Sequence, residues 1–223
     1  MEIFETGDGS HSIFSDQFGV SYHSKHGAVQ ETQHVFINAA LRMKATIQNK
    51  ISILGIGFGT GLNALMTCLE AQKRNLQIDY VAVEAYPISL ETAQSLNYGE
   101  VLPDPKANDL FMKIHECKWE TPIVINENFT ITKVEKRFED LAYKDQFDII
   151  YFDAFAPNSQ PELWTKEFLS IMYNSLLPAG ILTTYCAKGQ VKRNMKAVGF
   201  LVEKLPGPPG KREMTRACRQ AIE

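Results

Sequence analysis

The feature that most constrains the fold is the alternation, after about residue 50, of short apolar segments rich in β-branched residues with longer amphipathic segments. Such alternation is typical of βαβ units, in which helices join parallel strands. The predicted strands are Ile51–Gly57, Asp79–Glu84, Phe129–Val134, Phe147–Asp153 and Gly180–Cys186. The pattern therefore predicts an α/β fold with a mainly parallel central sheet and helices on both faces.

The remaining segments fit around this sheet. Gly199–Leu205 and the segment around Thr215–Arg219 are predicted to close it as an antiparallel pair. Residues 103–122 are expected to form an insertion near the site, with one helix. Residues 1–50 contain a hairpin-like piece and then a stretch with apolar residues at helical spacing. With no repeat or linker, 1–223 is predicted to be one domain, with 1–50 packed on it as an extension.

Composition and targeting signals give the broad class. The chain of 223 residues is 44% hydrophobic and 22% charged, which is unlike a disordered or fibrous protein. No apolar run approaches the roughly 18–20 residues that span a bilayer, and the start MEIFETGDGS does not resemble a signal peptide. The sequence therefore predicts a soluble, cytoplasmic protein.

Neither the cysteines nor the histidines have the spacing of a metal site. Cysteines 68, 117, 186 and 218 form no C-x-x-C pair, so reduced structural thiols are expected. His23, His26 and His34, with Glu31 between them, offer a zinc alternative. Zinc sites usually show tighter paired spacing, so no metal is predicted.

The net charge of −3 hides a segregation of charge along the chain. Between Cys186 and Arg219 there are nine lysines and arginines against two glutamates, a net charge of +7 that leaves −10 for the rest. Affinity for nucleic acid depends on local positive charge, so this segment is a candidate phosphate-binding surface, with Lys192 and Arg193 among its residues. A solvated basic face without a partner is the alternative.

A glycine-rich loop follows the first predicted strand, with glycines at 55, 57, 59 and 61. Glycines at a strand-to-helix junction let the backbone approach a ligand closely. The dinucleotide pattern G-x-G-x-x-G requires a further glycine where this chain has Thr60 or Leu62, so NAD is disfavoured. The pattern G-x-G-x-G favours S-adenosylmethionine, with Gly55, Gly57, Gly59 and Gly61 as candidate cofactor residues.

Acidic residues follow the next strands. Glu84 ends the second strand, where a carboxylate can accept both hydroxyls of a ribose. The tip after the third strand offers two candidates for the adenine amino group, Glu135 and Asp140, and the residues do not decide between them.

Asp153 ends the fourth strand, at the edge of the expected ligand crevice. A carboxylate is costly to bury there unless a partner or a reaction uses it. In methyl transfer Asp153 would orient an attacking amine and favour loss of its proton. Phe155 and Trp164 are candidates for stacking on a base, or are core residues.

Blocks along nearly the whole chain resemble the methyltransferase part of the tRNA 5-methylaminomethyl-2-thiouridine biosynthesis enzymes, the MnmC/MnmD type. The blocks are Tyr22–Ile37, Gly57–Leu65, Val83–Pro87, Phe147–Trp164, Leu176–Phe200 and Gly207–Ala217. The resemblance implies a Rossmann-like, S-adenosylmethionine-dependent enzyme that methylates the amine of 5-aminomethyluridine at the tRNA wobble position.

The same resemblance implies roles for individual residues. Asp153, in D-x-F-x-P, would act on the amine, whereas Glu31, in E-T-x-H-V-F, would lie near the methionine end of the cofactor or the incoming base. Lys211, Arg212 and Glu213, in K-R-E-M, are similar to substrate-side residues.

The chain departs from the family pattern at two positions. Gly55 replaces a commonly acidic residue, and the Gly-Asp after the third strand is absent. The bifunctional relatives also carry an FAD-dependent oxidase domain, for which 223 residues leave no room, so no flavin is expected. Two alternatives are aminopropyl transfer to a small amine and a catalytically silent RNA-binding module.

Overall fold

The computed structural model describes residues 2–221, whose strands form two sheets. The smaller, antiparallel sheet contains β1 (Glu2–Glu5), β2 (His11–Ser15) and β3 (Val20–Ser21). The larger sheet has the order β10 (Leu201–Pro206), β11 (Glu213–Cys218), β9 (Leu176–Thr184), β8 (Phe147–Phe152), β4 (Lys50–Ile56), β5 (Gln77–Glu84), β7 (Phe129–Glu135) and β6 (Ile123–Asn126).

The larger sheet confirms the predicted topology. Its five central strands are parallel, and β11 and β10 close one edge as an antiparallel pair. The structure adds one strand and extends another. The antiparallel strand β6 at the other edge was not predicted, and β9 begins at Leu176 rather than at the predicted Gly180. The strand β9 includes an irregularity before Gly180, where Ala179 has φ 60° and the pairing with β8 shifts register.

Helices cover both faces of the larger sheet. The α-helices are α1 (Ala28–Thr32), α2 (Leu62–Arg74), α3 (Leu90–Gln94), α4 (Tyr98–Val101), α5 (Ala107–Glu116), α6 (Lys166–Ser175) and α7 (Gly189–Val198). A π-helix, Gln33–Arg42, continues α1. Apolar residues of α2, α5 and the π-helix pack in one hydrophobic cluster, and those of α6 and α7 in another. No helix within residues 2–221 is long and apolar enough to cross a membrane.

The first 50 residues pack against the larger sheet through polar anchors as well as apolar contacts. The buried Lys44 Nζ donates to the Ala179 carbonyl oxygen over 3.1 Å. Arg42 Nε donates to Glu70 Oε1 over 2.6 Å and so ties the π-helix to α2. These contacts hold the π-helix, which continues α1, against β9 and α2.

The carboxyl ends of β4, β5 and β8 meet at one edge of the sheet. The Gly57 N–H, just after β4, donates to the Val83 carbonyl in β5 over 3.0 Å. The Asp153 N–H, just after β8, donates to the Ile56 carbonyl over 3.1 Å. Ligands of open parallel sheets bind at such edges, so this edge is the candidate location of a binding site.

Candidate active site

The glycine loop between β4 and α2 lines a cavity at this edge. Gly57, Gly59 and Gly61 all have positive φ, at 88°, 52° and 78°. A Cβ at Gly59 would lie 3.1 Å from the Tyr22 ring, so a larger residue would be strained and crowded. The backbone of this loop is therefore open to close approach by a ligand.

Gly55 has a different position from the other three glycines. It is buried within β4, outside the cavity lining, and a Cβ there would lie 2.6 Å from the Tyr80 hydroxyl oxygen. The prediction that Gly55 contacts a cofactor is therefore replaced by a packing role, since the missing side chain makes room for Tyr80.

Glu84 lies at the end of β5 with its carboxylate held against the glycine loop. Oε2 accepts from the Gly59 N–H and Oε1 from the Tyr86 N–H, both over 2.9 Å. Glu84 lines the cavity although only 8% of the residue is exposed. A carboxylate oxygen can accept more than one hydrogen bond, so this fixed group can also bind a vicinal diol.

Asp153 lies at the end of β8 in a chain of hydrogen bonds that crosses the cavity floor. Asn63 Nδ2 donates to Asp153 Oδ2 over 2.8 Å, and Thr32 Oγ1 donates to Asn63 Oδ1 over 2.9 Å. Burial, and then the negative charge of Glu31, raise the pKa of Asp153 to about 8, although the Asn63 bond and Lys211 act in the opposite direction. A carboxyl group with a pKa near neutrality can exchange a proton with an amine.

An aromatic cover closes the outer side of the cavity. Phe18, in the turn between β2 and β3, lies 4.8 Å from the Phe155 ring, and Tyr22 lies 5.1 Å from the same ring. Burial, with the nearby Glu84 charge, raises the pKa of Tyr22 to about 12, so its hydroxyl is neutral. The small sheet therefore contributes directly to the site, which the sequence did not indicate.

The adenine candidates Glu135 and Asp140 are both exposed and outside the cavity lining. Phe138, between them in a 3-10 turn, lines the cavity instead, together with Tyr86. This end of the cavity therefore offers aromatic faces, which suit stacking on a flat ring, in place of a carboxylate.

The two aromatic candidates for base stacking have different environments. Phe155 lines the cavity and is partly exposed. Trp164 is 3% exposed, packs on Phe152, and donates its indole N–H to the Phe155 carbonyl over 2.9 Å. The Trp164 ring has no free face for a base, so its role is to hold the loop after Asp153, together with Gln160, whose Oε1 accepts from the Phe155 N–H over 3.1 Å.

Glu31, in α1, is linked to a second, open cavity through Lys211. Its Oε2 accepts from the Ser24 N–H over 2.9 Å, and its Oε1 accepts from Lys211 Nζ over 2.5 Å. The open cavity is lined by Ala156, Pro157, Tyr185, Cys186, Ala187, Lys188, Lys211, Arg212 and Glu213. The charges of both Glu31 and Lys211 act on Asp153, so this pair is close to the candidate catalytic carboxyl group.

The basic C-terminal segment divides into two sets. Lys188, Lys192, Arg193, Lys211 and Arg212 lie near the carboxyl edge of the sheet, and we call them the basic rim. Lys192 in the rim forms an ion pair with Glu213, at 3.3 Å. Arg216 and Arg219 instead form ion pairs with Glu203 and Asp145 and serve the fold. The positive charge available to a ligand is therefore smaller than the segment total.

The histidines of the zinc alternative are used elsewhere. His23 is 7% exposed, and burial lowers its pKa to about 4. His34 Nε2 lies 2.8 Å from the Pro206 carbonyl oxygen. Among residues 2–221 no group of three or more His, Cys, Asp and Glu side chains is arranged to hold a metal ion.

Comparisons with known proteins point to one family. A family model described as S-adenosyl-L-methionine-dependent methyltransferase matches residues 109–220, half of the chain. The tRNA 5-methylaminomethyl-2-thiouridine biosynthesis bifunctional protein MnmC of Pseudomonas syringae pv. syringae is 30% identical over 215 residues, and that of Hydrogenovibrio crunogenus is 29% identical over 214. These matches cover 91% and 90% of this chain but 32% and 31% of the relatives, so the chain spans about a third of their length.

Solved structures agree with the sequence comparisons. The crystal structure of MNMC2 from Aquifex aeolicus superposes with a TM-score of 0.79 at 25% identity, over 99% of this chain and 70% of that one. Spermidine synthase from Thermotoga maritima shares the fold, with a TM-score of 0.58 at 15% identity, over 100% of this chain and 73% of that one. The resemblance read from the sequence blocks is confirmed, and the chain belongs to the S-adenosyl-L-methionine-dependent methyltransferases.

Proposed function

We propose that this protein methylates the primary amine of 5-aminomethyluridine, with or without the 2-thio group, at the wobble position of tRNA in the cytoplasm. The observation that carries the proposal is the position of Asp153, which lines the cavity beside the glycine loop and is close enough to Glu31 and Lys211 for both charges to act on it. The names of the MnmC relatives support the choice of tRNA as substrate.

The residues of the cavity beside the glycine loop fit S-adenosylmethionine. The Gly57–Gly61 backbone allows close approach, Glu84 suits the ribose diol, and Phe138 with Tyr86 suits the adenine ring. These groups would place the reacting end of the cofactor toward Asn63 and Asp153. When bound, S-adenosylmethionine supplies an electrophilic methyl carbon on a sulfonium centre.

Asp153 would prepare the amine for attack. A substrate ammonium that approaches Asp153 favours the ionised carboxylate, because opposite charges stabilise each other, and can then lose a proton to it. The freed lone pair would then be available to the methyl carbon of S-adenosylmethionine held by Gly57–Gly61 and Glu84, with the sulfur as leaving group, and the methylated nitrogen would give up its extra proton to solvent.

The positive charge at the open cavity favours this proposal over aminopropyl transfer to a small polyamine. Lys188, Lys211 and Arg212 line the open cavity, and their positive charge suits a phosphate backbone better than a polycation. The direct test incubates the protein with labelled S-adenosylmethionine and tRNA from a strain that lacks the methylation step, followed by nucleoside mass spectrometry. Labelled methylaminomethyluridine is expected, whereas transfer from decarboxylated S-adenosylmethionine to a small amine would contradict the proposal.

Replacing Glu84 tests the cofactor site separately. We expect Glu84→Ala to weaken S-adenosylmethionine binding by about 1–3 kcal/mol, because it removes a charged hydrogen-bond acceptor for the ribose. Isothermal titration calorimetry measures the effect. Glu91→Ala, which changes an exposed glutamate in α3, is the matched control. An unchanged dissociation constant in Glu84→Ala would place the ribose elsewhere.

A further inference from the structure

The contact between Glu31 and Lys211 is a candidate for more than fold stability. Glu31 is 5% exposed, so its carboxylate needs a cationic or hydrogen-bonding partner. The Ser24 N–H donates to one carboxylate oxygen, and Lys211 Nζ donates to the other over 2.5 Å. The Lys211 side chain is 32% exposed and comes from the loop between β10 and β11, so it can leave without disturbing a packed core.

The surroundings of Lys211 Nζ form a receptor for a primary ammonium group. Besides the Glu31 oxygen, the Tyr185 ring lies beneath the nitrogen, with its centroid 3.9 Å away. An ammonium over an aromatic face and against a carboxylate has two independent sources of attraction. Tyr185 is fixed in this position, because its hydroxyl donates to the Ala154 carbonyl over 2.9 Å.

This receptor adjoins the linings of both cavities. Tyr185 and Lys211 line the open cavity, whereas Asp153 and Ala154 line the cavity beside the glycine loop. Asp153 is close enough to Glu31 and Lys211 that both charges act on it. An amine that reached Asp153 from the open cavity along Tyr185 would therefore come to the position that Lys211 Nζ occupies.

We propose that the Lys211 ammonium is an internal stand-in for the substrate amine, held by Glu31 and the Tyr185 ring until the substrate replaces it. Exchange of one ammonium for another keeps the buried Glu31 carboxylate paired throughout. The displaced Lys211 moves into the open cavity beside Lys188 and Arg212, where it adds positive charge near the substrate phosphates. The inference rests on the proposed function only in taking the substrate to be a primary amine.

The test is to empty the receptor and ask whether a free amine fills it. Lys211→Met keeps most of the side-chain volume but removes the ammonium. All titrations are made with S-adenosylhomocysteine added at saturation, so that the cofactor site is occupied. The probe is the nucleoside 5-aminomethyluridine, titrated by calorimetry at pH 7. We expect Lys211→Met to bind it at least about tenfold more tightly than the wild type, whose own lysine competes. The neutral analogue 5-hydroxymethyluridine should gain no affinity.

Two further variants decide the origin of any gain. Lys204→Met removes a positive charge from the same β10–β11 hairpin, away from Glu31, and should leave amine affinity within about twofold of the wild type. Glu31→Gln combined with Lys211→Met should abolish the gain, because the receptor has then lost its carboxylate. Affinity for S-adenosylhomocysteine and the melting temperature report whether each variant is folded.

Three results would overturn the proposal: no gain in folded Lys211→Met, an equal gain for the alcohol, or an equal gain in Lys204→Met. If Lys211→Met does not fold, Lys211→Ala, which also removes the ammonium and leaves the receptor open, gives the same comparison. Amine binding is measured without tRNA, so a failure of tRNA methylation would leave the receptor intact. If the protein methylates tRNA but Lys211→Met shows no higher affinity for the amine, the proposed role of Lys211 is refuted and the proposed function is not.

Discussion

Asp153→Asn should lower the rate of methyl transfer by about 10²-fold or more, the usual scale for a positioned acid–base group. Asparagine keeps the shape of the side chain, and its oxygen can still accept from Asn63 Nδ2, which now donates to Asp153 over 2.8 Å. It cannot take a proton from a substrate ammonium. Single-turnover measurement with saturating cofactor and tRNA isolates the chemical step from binding.

The pH dependence should separate this role from a purely structural one. The Asp153 pKa of about 8 lies above the ordinary 3.8, so in the wild type the carboxylate fraction rises about tenfold per pH unit from pH 6 toward 8. The rate at subsaturating tRNA, which reports the groups of the free enzyme, should rise with this fraction and level off above about pH 8. In Asp153→Asn the profile should follow only the titration of the substrate amine.

The same shift predicts the stability of the variant. Between the unfolded pKa near 3.8 and the folded pKa of about 8, the folded protein binds more protons at Asp153, so the contribution of Asp153 to stability falls as pH rises. Asparagine does not titrate and escapes this loss. Asp153→Asn should therefore melt no lower than the wild type at pH 7, and a lost rate cannot be assigned to unfolding.

Asp79→Asn provides the matched control, because it makes the same chemical change at an exposed residue near the amino end of β5. Its rate and cofactor affinity should equal those of the wild type. Wild-type turnover in Asp153→Asn, measured beside this control, would remove Asp153 from the mechanism.

Sequence patterns predicted the parts of the site that are local. Gly57, Gly59 and Gly61 lie within one loop, and Glu84 and Asp153 each end a strand whose apolar run is visible in the sequence. Parallel topology then brings these positions to one edge. Local periodicity and strand ends thus carry information about which residues meet, even without any knowledge of tertiary contacts.

The parts that the sequence missed or left open depend on contacts between distant residues. Asn63 looks like an ordinary helix residue, and only the fold places it between Thr32 and Asp153. The turn with Phe18 belongs to a separate small sheet, so no local pattern connects it to the cavity. For Trp164 the sequence left base stacking and a core position open, because its burial against Phe152 is a tertiary property.

The second large effect concerns the basic rim, which we propose as the tRNA-docking face. Reversing Lys188, Arg193 and Arg212 together to Glu should weaken tRNA binding by at least about 10²-fold at low salt, because affinity for nucleic acid is dominated by phosphate contacts. These three residues are exposed and carry no carboxylate ion pair in the part of the chain that the structure describes. Lys192 and Lys211 are left unchanged, because reversing either would also break its pair with Glu213 or Glu31.

Salt dependence gives the sharper measurement. Each lost phosphate contact should flatten the plot of log affinity against log salt by about one unit of slope, so the triple variant should lose up to about three units. The matched control reverses Lys50, Lys73 and Lys144, which are also exposed but lie toward the opposite edge of the sheet, near the starts of β4, β5 and β8. Both triple variants change the net charge by the same amount, so a long-range charge effect would weaken binding in both. A rim variant with unchanged slope and intact S-adenosylmethionine binding would show that tRNA docks elsewhere, whereas loss confined to the rim variant would place the tRNA backbone at the basic rim, beside the open cavity that Lys188 and Arg212 line.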